Sequence, residues 1–198
     1  MASIYALKGR FQALLRPMVG ALYRGGITAN QVTLIAAAVV LRGGPSRPLL
    51  YLLLPVWMLV RMALNAVDGM LAREFGQQSR LGAYLNELCD VVADAALYLS
   101  LLGVPGVSAP WLWIFALLAA LTEYAGVLGL MVGASRRYDG PMGKSDRALV
   151  IGVLGVGLAC GLLGARGVTW VAIALNLACM ATVWRRVRAG LAEAPAGT

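Results

Sequence analysis

Residues 109–133 read APWLWIFALLAALTEYAGVLGLMVG, and Glu123 is the only charged side chain among them. As an α-helix this stretch would be about 38 Å long, whereas the hydrocarbon core of a bilayer is about 30 Å thick. The whole chain is as apolar in character as this stretch, because 60% of its 198 residues are hydrophobic and only 13% are charged. A soluble domain carries about 25% charged residues. The composition therefore excludes a disordered chain, a small disulfide-stapled domain and an ordinary soluble enzyme, and it predicts a polytopic membrane protein.

Six apolar stretches are long enough to be read as membrane spans, at residues 29–43, 48–74, 79–103, 109–133, 145–165 and 168–186. Turn-forming sequences separate them, among them Asp139-Gly140-Pro141 and Arg166-Gly167. Residues 1–26 repeat apolar side chains at helical spacing with basic residues outside that arc, which is typical of an interfacial helix. We expect an all-α integral membrane protein with six transmembrane helices after an N-terminal amphipathic helix. The membrane domain would cover residues 27–190, and residues 191–198 would form a cytoplasmic tail.

The basic residues predict the orientation. The chain has 17 Lys+Arg, 9 Asp+Glu and no His. Most of the Lys and Arg lie on the side of the predicted bundle that holds both termini, so the positive-inside rule places the termini in the cytoplasm. No polar domain carries this charge, which argues against nucleic-acid binding.

The three cysteines lie singly in apolar stretches, and with no His this excludes zinc and haem ligation by His. Any metal would be bound by oxygen ligands.

Five acidic residues fall close together at the end of the second predicted span and the start of the third: Asp68, Glu74, Glu87, Asp90 and Asp94. Helical spacing puts Arg61, Asn65 and Asp68 on one face, and Asn86, Asp90 and Asp94 on another. Ionisable groups inside a membrane mainly line polar cavities. Converging carboxylate and amide oxygens favour a hard divalent cation, which could also hold a diphosphate. The alternative is that these groups only join two helices by hydrogen bonds.

Residues 65–90 read NAVDGMLAREFGQQSRLGAYLNELCD. This stretch resembles the signature of the CDP-alcohol phosphotransferase (CDP-alcohol phosphatidyltransferase) family, D-x-x-D-G-x-x-A-R-x8-G-x-x-x-D-x-x-x-D. Six of the eight fixed positions match: Asp68, Gly69, Ala72, Arg73, Gly82 and Asp90. The first and third aspartates are replaced by Asn65 and Asn86. Residues 27–33, ITANQVT, are similar to the family element I-T-P-N-x-x-T that opens the first span.

The resemblance implies a site, a reaction and partners. Asp68 and Asp90, with Asn65 and Asn86, would bind Mg²⁺ or Mn²⁺, and Asp90 would be the general base. The residues expected near the nucleotide are Thr28, Asn30, Thr33, Gly69, Ala72, Arg73 and Gly82. A phosphatidyl or related phospho-alcohol group would pass from a CDP-linked lipid such as CDP-diacylglycerol to a small hydroxyl acceptor, releasing CMP. Family members tend to be dimers, so a homodimer in a bacterial inner (cytoplasmic) membrane, with the active site facing the cytoplasm, is expected.

The acceptor side is indicated by basic residues between the fourth and fifth spans. Lys144 and Arg147 lie at the start of a predicted helix beside glycines, where they could bind the phosphate of a phosphorylated acceptor. Arg136 and Arg137 fit a positive cytoplasmic loop better. Glu123, inside a span, is expected to line a cavity or to be paired. Whether the acceptor carries a phosphate stays open at this point.

The two asparagines leave alternatives open. Four aspartates would offset the +4 charge of two divalent metals, but Asp68 and Asp90 supply only −2. An amide oxygen can ligate a metal but brings no charge. This favours one tightly held metal, or a catalytically impaired relative that binds CDP-lipid or regulates a partner. A small transporter is a third hypothesis, but it predicts internal repeats, and residues 100–198 carry no counterpart of the aspartate pair.

Overall fold

The computed structural model describes residues 29–59 and 80–195, and within these ranges the chain is helical with no β-strand. The helices are α1 (Ala29–Gly43), α2 (Pro48–Leu59, which begins with a 3₁₀ turn), α3 (Arg80–Leu99), α4 (Ala109–Leu128), α5 (Lys144–Ala159) and α6 (Ala165–Glu193). Short 3₁₀ segments extend α3 over Ser100–Gly103 and α4 over Gly129–Val132. The loop 133–143 joins α4 to α5.

Local sequence sets the ends of the helices around this loop. Pro110 lies in the first turn of α4, where its missing N–H is not needed. Beyond α4, Gly133 adopts φ +77°, a left-handed conformation that ends helices and favours glycine. At the start of α5, the Gly143 N–H donates to the Asp146 carboxylate at 2.9 Å, which satisfies a backbone donor of the first turn.

The predicted break at Arg166-Gly167 is wrong, because both residues lie inside α6. The chain turns earlier, after α5 ends at Ala159, and Gly161 adopts φ +68° there. The predicted turn at Asp139-Gly140-Pro141 is confirmed, with φ +115° at Gly140. A Cβ at Gly140 would lie 2.7 Å from Thr182 on α6, so glycine also lets the loop approach this helix closely.

The core is apolar and lies between the helices. α4 packs along α6, α3 packs between α1 and α4, and α5 packs against the first turns of α2. The fully buried side chains include Val40, Leu54, Leu97, Phe115, Ile151 and Val168. This arrangement brings the end of α4, the start of α5 and the second half of α6 together beside the middle of α3. We call this region the site end of the bundle.

Large apolar side chains are exposed on the outer surface of the bundle, while several charged and polar side chains are buried. Trp113, Leu117 and Trp184 are more than half exposed, whereas Arg147 and Arg186 are almost fully buried. This distribution suits a lipid environment. α4 with its extension (Ala109–Val132) and α6 are long and apolar enough to cross a membrane. The predicted N-terminal helix and the second half of the predicted span 48–74 lie outside the described residues.

Candidate functional site

One face of α3 carries the acidic side chains of the site. Glu87, Asp90 and Asp94 follow one another at helical steps of three and four residues, and Tyr98 continues the same face. Asp94 and Tyr98 are buried, and the Asp90 side chain is only 14% exposed. The α3 face therefore presents carboxylates to the interior of the site end.

The predicted base and a predicted acceptor residue lie in contact. Lys144, the first residue of α5, donates from its Nζ to Oδ2 of Asp90 and forms an ion pair with it. The Lys144 side chain is 36% exposed, so the pair lies at the margin of the site and not in the core. A ligand arriving from outside could therefore reach both groups.

The other predicted site residues divide into two groups. Thr28, Asn65, Asp68, Gly69, Ala72 and Arg73 lie outside the described residues. Asn30 and Thr33 lie in α1, and Gly82 and Asn86 lie in α3, but nothing is described of their side chains. Gly82, Asn86 and Asp90 follow at steps of four along α3, so they share a face of that helix.

Arg147 is buried and bonded to the protein through every one of its guanidinium nitrogens. Its Nε donates to the Tyr98 hydroxyl at 3.2 Å, and its Nη1 donates to Thr122 Oγ1 at 2.7 Å and to the Met142 carbonyl at 3.0 Å. Its Nη2 donates to Glu123 Oε1 at 2.8 Å. The side chain is 1% exposed. As placed, Arg147 ties α3, α4 and the 133–143 loop together around the site.

Glu123 is the centre of this polar cluster. Besides Arg147, its carboxylate lies 3.7 Å from Nη2 of Arg136 and 3.8 Å from Nη1 of Arg186. Arg136 also forms a bidentate pair with Glu87, at 2.6 and 2.7 Å. Arg186 donates to the carbonyls of Thr122 and Asp139. We call these five side chains, Glu87, Glu123, Arg136, Arg147 and Arg186, the Glu123 cluster.

The 133–143 loop is held against α4 and α6 by its own charges. The Arg137 N–H donates to the Gly126 carbonyl at 3.0 Å, and its side chain pairs with Asp139 and Glu193. A Cβ at Gly126 would come within 2.7 Å of the Arg137 carbonyl, so glycine permits this approach. The hydrogen bond from Arg137 lowers the pKa of Asp139 below its ordinary value. The bidentate hydrogen bond to Glu87 raises the pKa of Arg136.

A small cavity adjoins the Glu123 cluster. Its walls include Asp94, Tyr98, Glu123 and Arg147, and its volume is about 10 Å³. A single water needs roughly this much space. The buried interior of the cluster is therefore closely packed.

The described donors fit a hard cation in type but do not form a complete site. Among residues 29–59 and 80–195, no three carboxylate, thiol or imidazole groups are close enough to share a metal. Asp90 supplies one carboxylate, and the signature residues Asn65 and Asp68 lie outside the described ranges. The donors are carboxylates and amides, which Mg²⁺ and Mn²⁺ prefer.

The sequence predicted that Glu123 lines a cavity or is paired, but it did not indicate that Arg186 belongs to the Glu123 cluster or that Tyr98 and Thr122 are hydrogen-bond partners of Arg147. In the sequence, Arg186 is indistinguishable from the other basic residues that predict the orientation of the chain. Its position four residues after Thr182, on the face of α6 that holds the loop, is the one local signal that it is buried.

Comparison with known proteins identifies the family. Residues 26–184 match the sequence profile of the CDP-alcohol phosphatidyltransferases. The chain is 47% identical over 162 residues to the inner membrane protein YnbA of Escherichia coli, covering 79% of this chain and 81% of YnbA. It is 28% identical over 172 residues to phosphatidylinositol phosphate synthase of Mycolicibacterium smegmatis, covering 80% and 75%.

A solved structure has a similar fold. The phosphatidylinositol phosphate synthase of Mycobacterium tuberculosis, in complex with manganese and citrate, superposes with a TM-score of 0.63 and 21% identity, over 91% of this chain and 90% of that one. The same synthase with CDP-DAG bound gives a TM-score of 0.61, over 91% and 94%. Since the family profile spans most of the sequence, the chain belongs to the CDP-alcohol phosphatidyltransferase family.

Proposed function

We propose that the chain is a metal-dependent CDP-alcohol phosphotransferase of phospholipid biosynthesis. It transfers a phosphatidyl or related phospho-alcohol group from a CDP-linked lipid such as CDP-diacylglycerol to a hydroxyl acceptor and releases CMP. The observation that carries this proposal is the family match over residues 26–184, which contains the signature from Asn65 to Asp90. The relative whose structure holds CDP-DAG supports the class of donor.

In this proposal Asp68 and Asp90, with the amide oxygens of Asn65 and Asn86, hold one Mg²⁺ or Mn²⁺ tightly. A divalent cation bound there would neutralise the negative charge of the donor's diphosphate. CMP would then be a good leaving group. The relative with manganese bound supports a divalent cation. Thr28, Asn30, Thr33, Gly69, Ala72, Arg73 and Gly82 border the nucleotide.

Asp90 is proposed as the general base. Its carboxylate accepts the proton of the acceptor hydroxyl as the acceptor oxygen bonds to phosphorus and the bond to CMP breaks. Lys144 balances the charge of Asp90 before the acceptor arrives. It is also placed to contact the acceptor. Arg147 acts from within the protein, because its four hydrogen bonds fix the wall against which the acceptor binds.

An apolar groove beside the site is consistent with a donor that is a lipid. Within the described residues it runs between α2 and α5, from Ser145 to Leu163, with a volume of about 700 Å³. Its walls are almost entirely apolar, and Ser145 follows Lys144 directly. An acyl chain lying in this groove would have its polar end beside Asp90. The remaining proposals are those made from the sequence: six membrane spans over residues 27–190, an interfacial helix over 1–26, cytoplasmic termini at a bacterial inner membrane, and a homodimer.

The test is CMP release from CDP-diacylglycerol by the purified chain with Mg²⁺ or Mn²⁺ and a panel of alcohols and phosphorylated polyols. Asp90→Asn keeps the shape of the side chain and should lower the rate at least about 100-fold. Glu193→Gln is the matched control, because it also converts a carboxylate to an amide, but its side chain is 42% exposed and contacts Ser135 and Arg137 of the 133–143 loop and not Asp90 or Lys144. Acceptor-dependent release in the control and not in Asp90→Asn supports the proposal.

The replacement of two signature aspartates favours a second candidate, a catalytically impaired relative that binds CDP-lipid or regulates a partner. Binding of CDP-diacylglycerol without CMP release would favour that candidate. Absence of both binding and release would contradict both.

A further inference from the structure

Three arginines of the site end converge on one carboxylate. Arg136, Arg147 and Arg186 reach Glu123 at 3.7, 2.8 and 3.8 Å. A group of arginines around one point is the arrangement with which proteins bind phosphate. Here the anion at that point is a side chain of the protein itself, on α4.

The guanidinium donors are already engaged by the protein. Arg147 makes four hydrogen bonds, Arg136 is bidentate to Glu87, and Arg186 donates to two backbone carbonyls. Among the buried guanidinium nitrogens of the described residues, only Nε of Arg136 has no hydrogen-bond partner. A single N–H is too little to hold a phosphate group.

Counted over the described residues alone, the formal charges around the cluster are balanced as well. Three arginines carry +3, and Glu87 and Glu123 carry −2. The buried Asp94, which shares the small cavity with Glu123 and Arg147, brings the sum to zero. Lys144 is paired with Asp90, and Arg137 with Asp139 and Glu193. A phosphate monoester, with a charge of about −1.5 to −2 at pH 7, would add an uncompensated anion.

We propose that Glu123 is a specificity-determining residue: it occupies the anion position among the three arginines, so that the acceptor is an alcohol without a phosphate group. This inference rests on the proposed function and narrows its acceptor class. Of the two acceptor types left open by the sequence, it selects the unphosphorylated one. Glu123 acts on the acceptor by exclusion, because a phosphorylated acceptor would have to displace it.

Two readouts test this on the full-length chain in lipid nanodiscs. The first is binding of inorganic phosphate, titrated at constant ionic strength and followed by calorimetry. Wild type should show no saturable binding in the millimolar range. Glu123→Gln, which removes the charge and keeps the shape, should bind phosphate saturably, with a Kd at least about tenfold below the lower limit that the wild-type titration sets. Glu193→Gln, which removes another carboxylate paired with an arginine, should behave as wild type.

The second readout is CMP release with matched acceptors, glycerol against glycerol phosphate and inositol against inositol phosphate. Wild type should favour the unphosphorylated member of each pair, and Glu123→Gln should shift that preference at least about tenfold towards the phosphorylated one. Glu123→Asp, which restores the charge, should restore the wild-type preference.

Saturable phosphate binding by wild type would overturn the inference, as would a wild-type preference for phosphorylated acceptors or no gain of phosphate binding in folded Glu123→Gln. The wild-type measurements decide even if every Glu123 variant fails to fold. If no acceptor yields CMP, the proposed function fails, whereas the phosphate titration still decides the role of Glu123.

Discussion

Replacing Arg147 with methionine should destabilise the protein strongly, because the substitution removes one partner of a buried ion pair. The side chain is 1% exposed, and its loss removes the hydrogen bonds that it donates to Tyr98, Thr122 and the Met142 carbonyl. Breaking a buried pair in this way costs about 3–5 kcal/mol. For a chain of this length, 1 kcal/mol lowers Tm by about 2–4 °C, so the expected fall is about 6–20 °C.

Arg136 and Arg186 narrow the expected range of the fall in Tm. Arg136 and Arg186 still flank Glu123 after the substitution, so its carboxylate does not lose all compensation. We therefore expect the lower half of the range, about 6–13 °C. The assay is thermal unfolding in detergent, followed by the loss of the monodisperse peak in fluorescence-detected gel filtration at one fixed heating rate, since such unfolding is irreversible in many membrane proteins.

Three further variants make this result specific. Arg185→Met is the same change at an exposed position next to Arg186, and it should alter Tm by less than about 2 °C. Arg147→Lys keeps the charge but loses the planar donor geometry, and it should fall between wild type and Arg147→Met. Arg147→Met combined with Glu123→Leu should cost less than the sum of the single changes, because each single change already removes the Arg147–Glu123 pair. An Arg147→Met protein as stable as Arg185→Met would refute the reasoning.

Three other measurements follow from the site and its loop. Restoring the signature with Asn65→Asp and Asn86→Asp should raise metal-dependent CMP release if catalysis has decayed, and a loss of turnover would instead indicate a site tuned to the asparagines. Because Arg137 holds the pKa of Asp139 down, this group stabilises the fold above its ordinary pKa of 3.8, and the stabilisation is lost as pH falls through the lowered value. The difference in Tm between wild type and Asp139→Asn should therefore be constant from pH 5 to 7 and shrink progressively as the pH falls below about 3.8; a difference that grows on acidification would contradict the pairing. Gly140→Ala should lower Tm by several degrees, since φ is +115° and a Cβ would meet α6 at 2.7 Å, and an unchanged Tm would show that the loop can shift.

The helices could be predicted from the sequence wherever long apolar stretches end in unambiguous turn residues. α4 and the turn at Gly140 are of this kind. The start of α6 could not be predicted from the sequence, because glycines at 161, 164 and 167 all mark possible breaks between helices. The local sequence does not show which of the three glycines ends or begins a helix. In the fold, the chain turns at Gly161, with its positive φ, and α6 begins after Gly164, while Gly167 lies within the helix, where a Cβ would come 2.9 Å from Leu163. Tertiary packing, which the apolar pattern does not encode, decides between them.

The site could be predicted from the sequence in parts but not as an assembly. Asp90 came from the family signature and Lys144 from a basic loop, and nothing in either motif indicates that they touch across 54 residues. Arg186 is harder still, because a basic residue near the end of an apolar helix is what the positive-inside rule predicts for a cytoplasmic end. Only the packing of α4 along α6 brings it to Glu123 and makes it part of a buried network.

The charge of the site connects the asparagine substitutions with the ion pairs seen here. In the proposed site, replacing two aspartates leaves Asp68 and Asp90 to hold the metal, and Lys144 offsets part of the charge of Asp90. The loss of the two aspartates and the pairing of Asp90 with Lys144 both lower the negative charge that is available to cations. This lower charge favours the binding of one divalent ion over two. The Glu123 cluster lowers the positive charge available to anions in the same way. A site with little excess charge of either sign is poorly suited to gathering a second metal and a phosphorylated acceptor together, and well suited to a neutral alcohol that approaches a single metal and one carboxylate base.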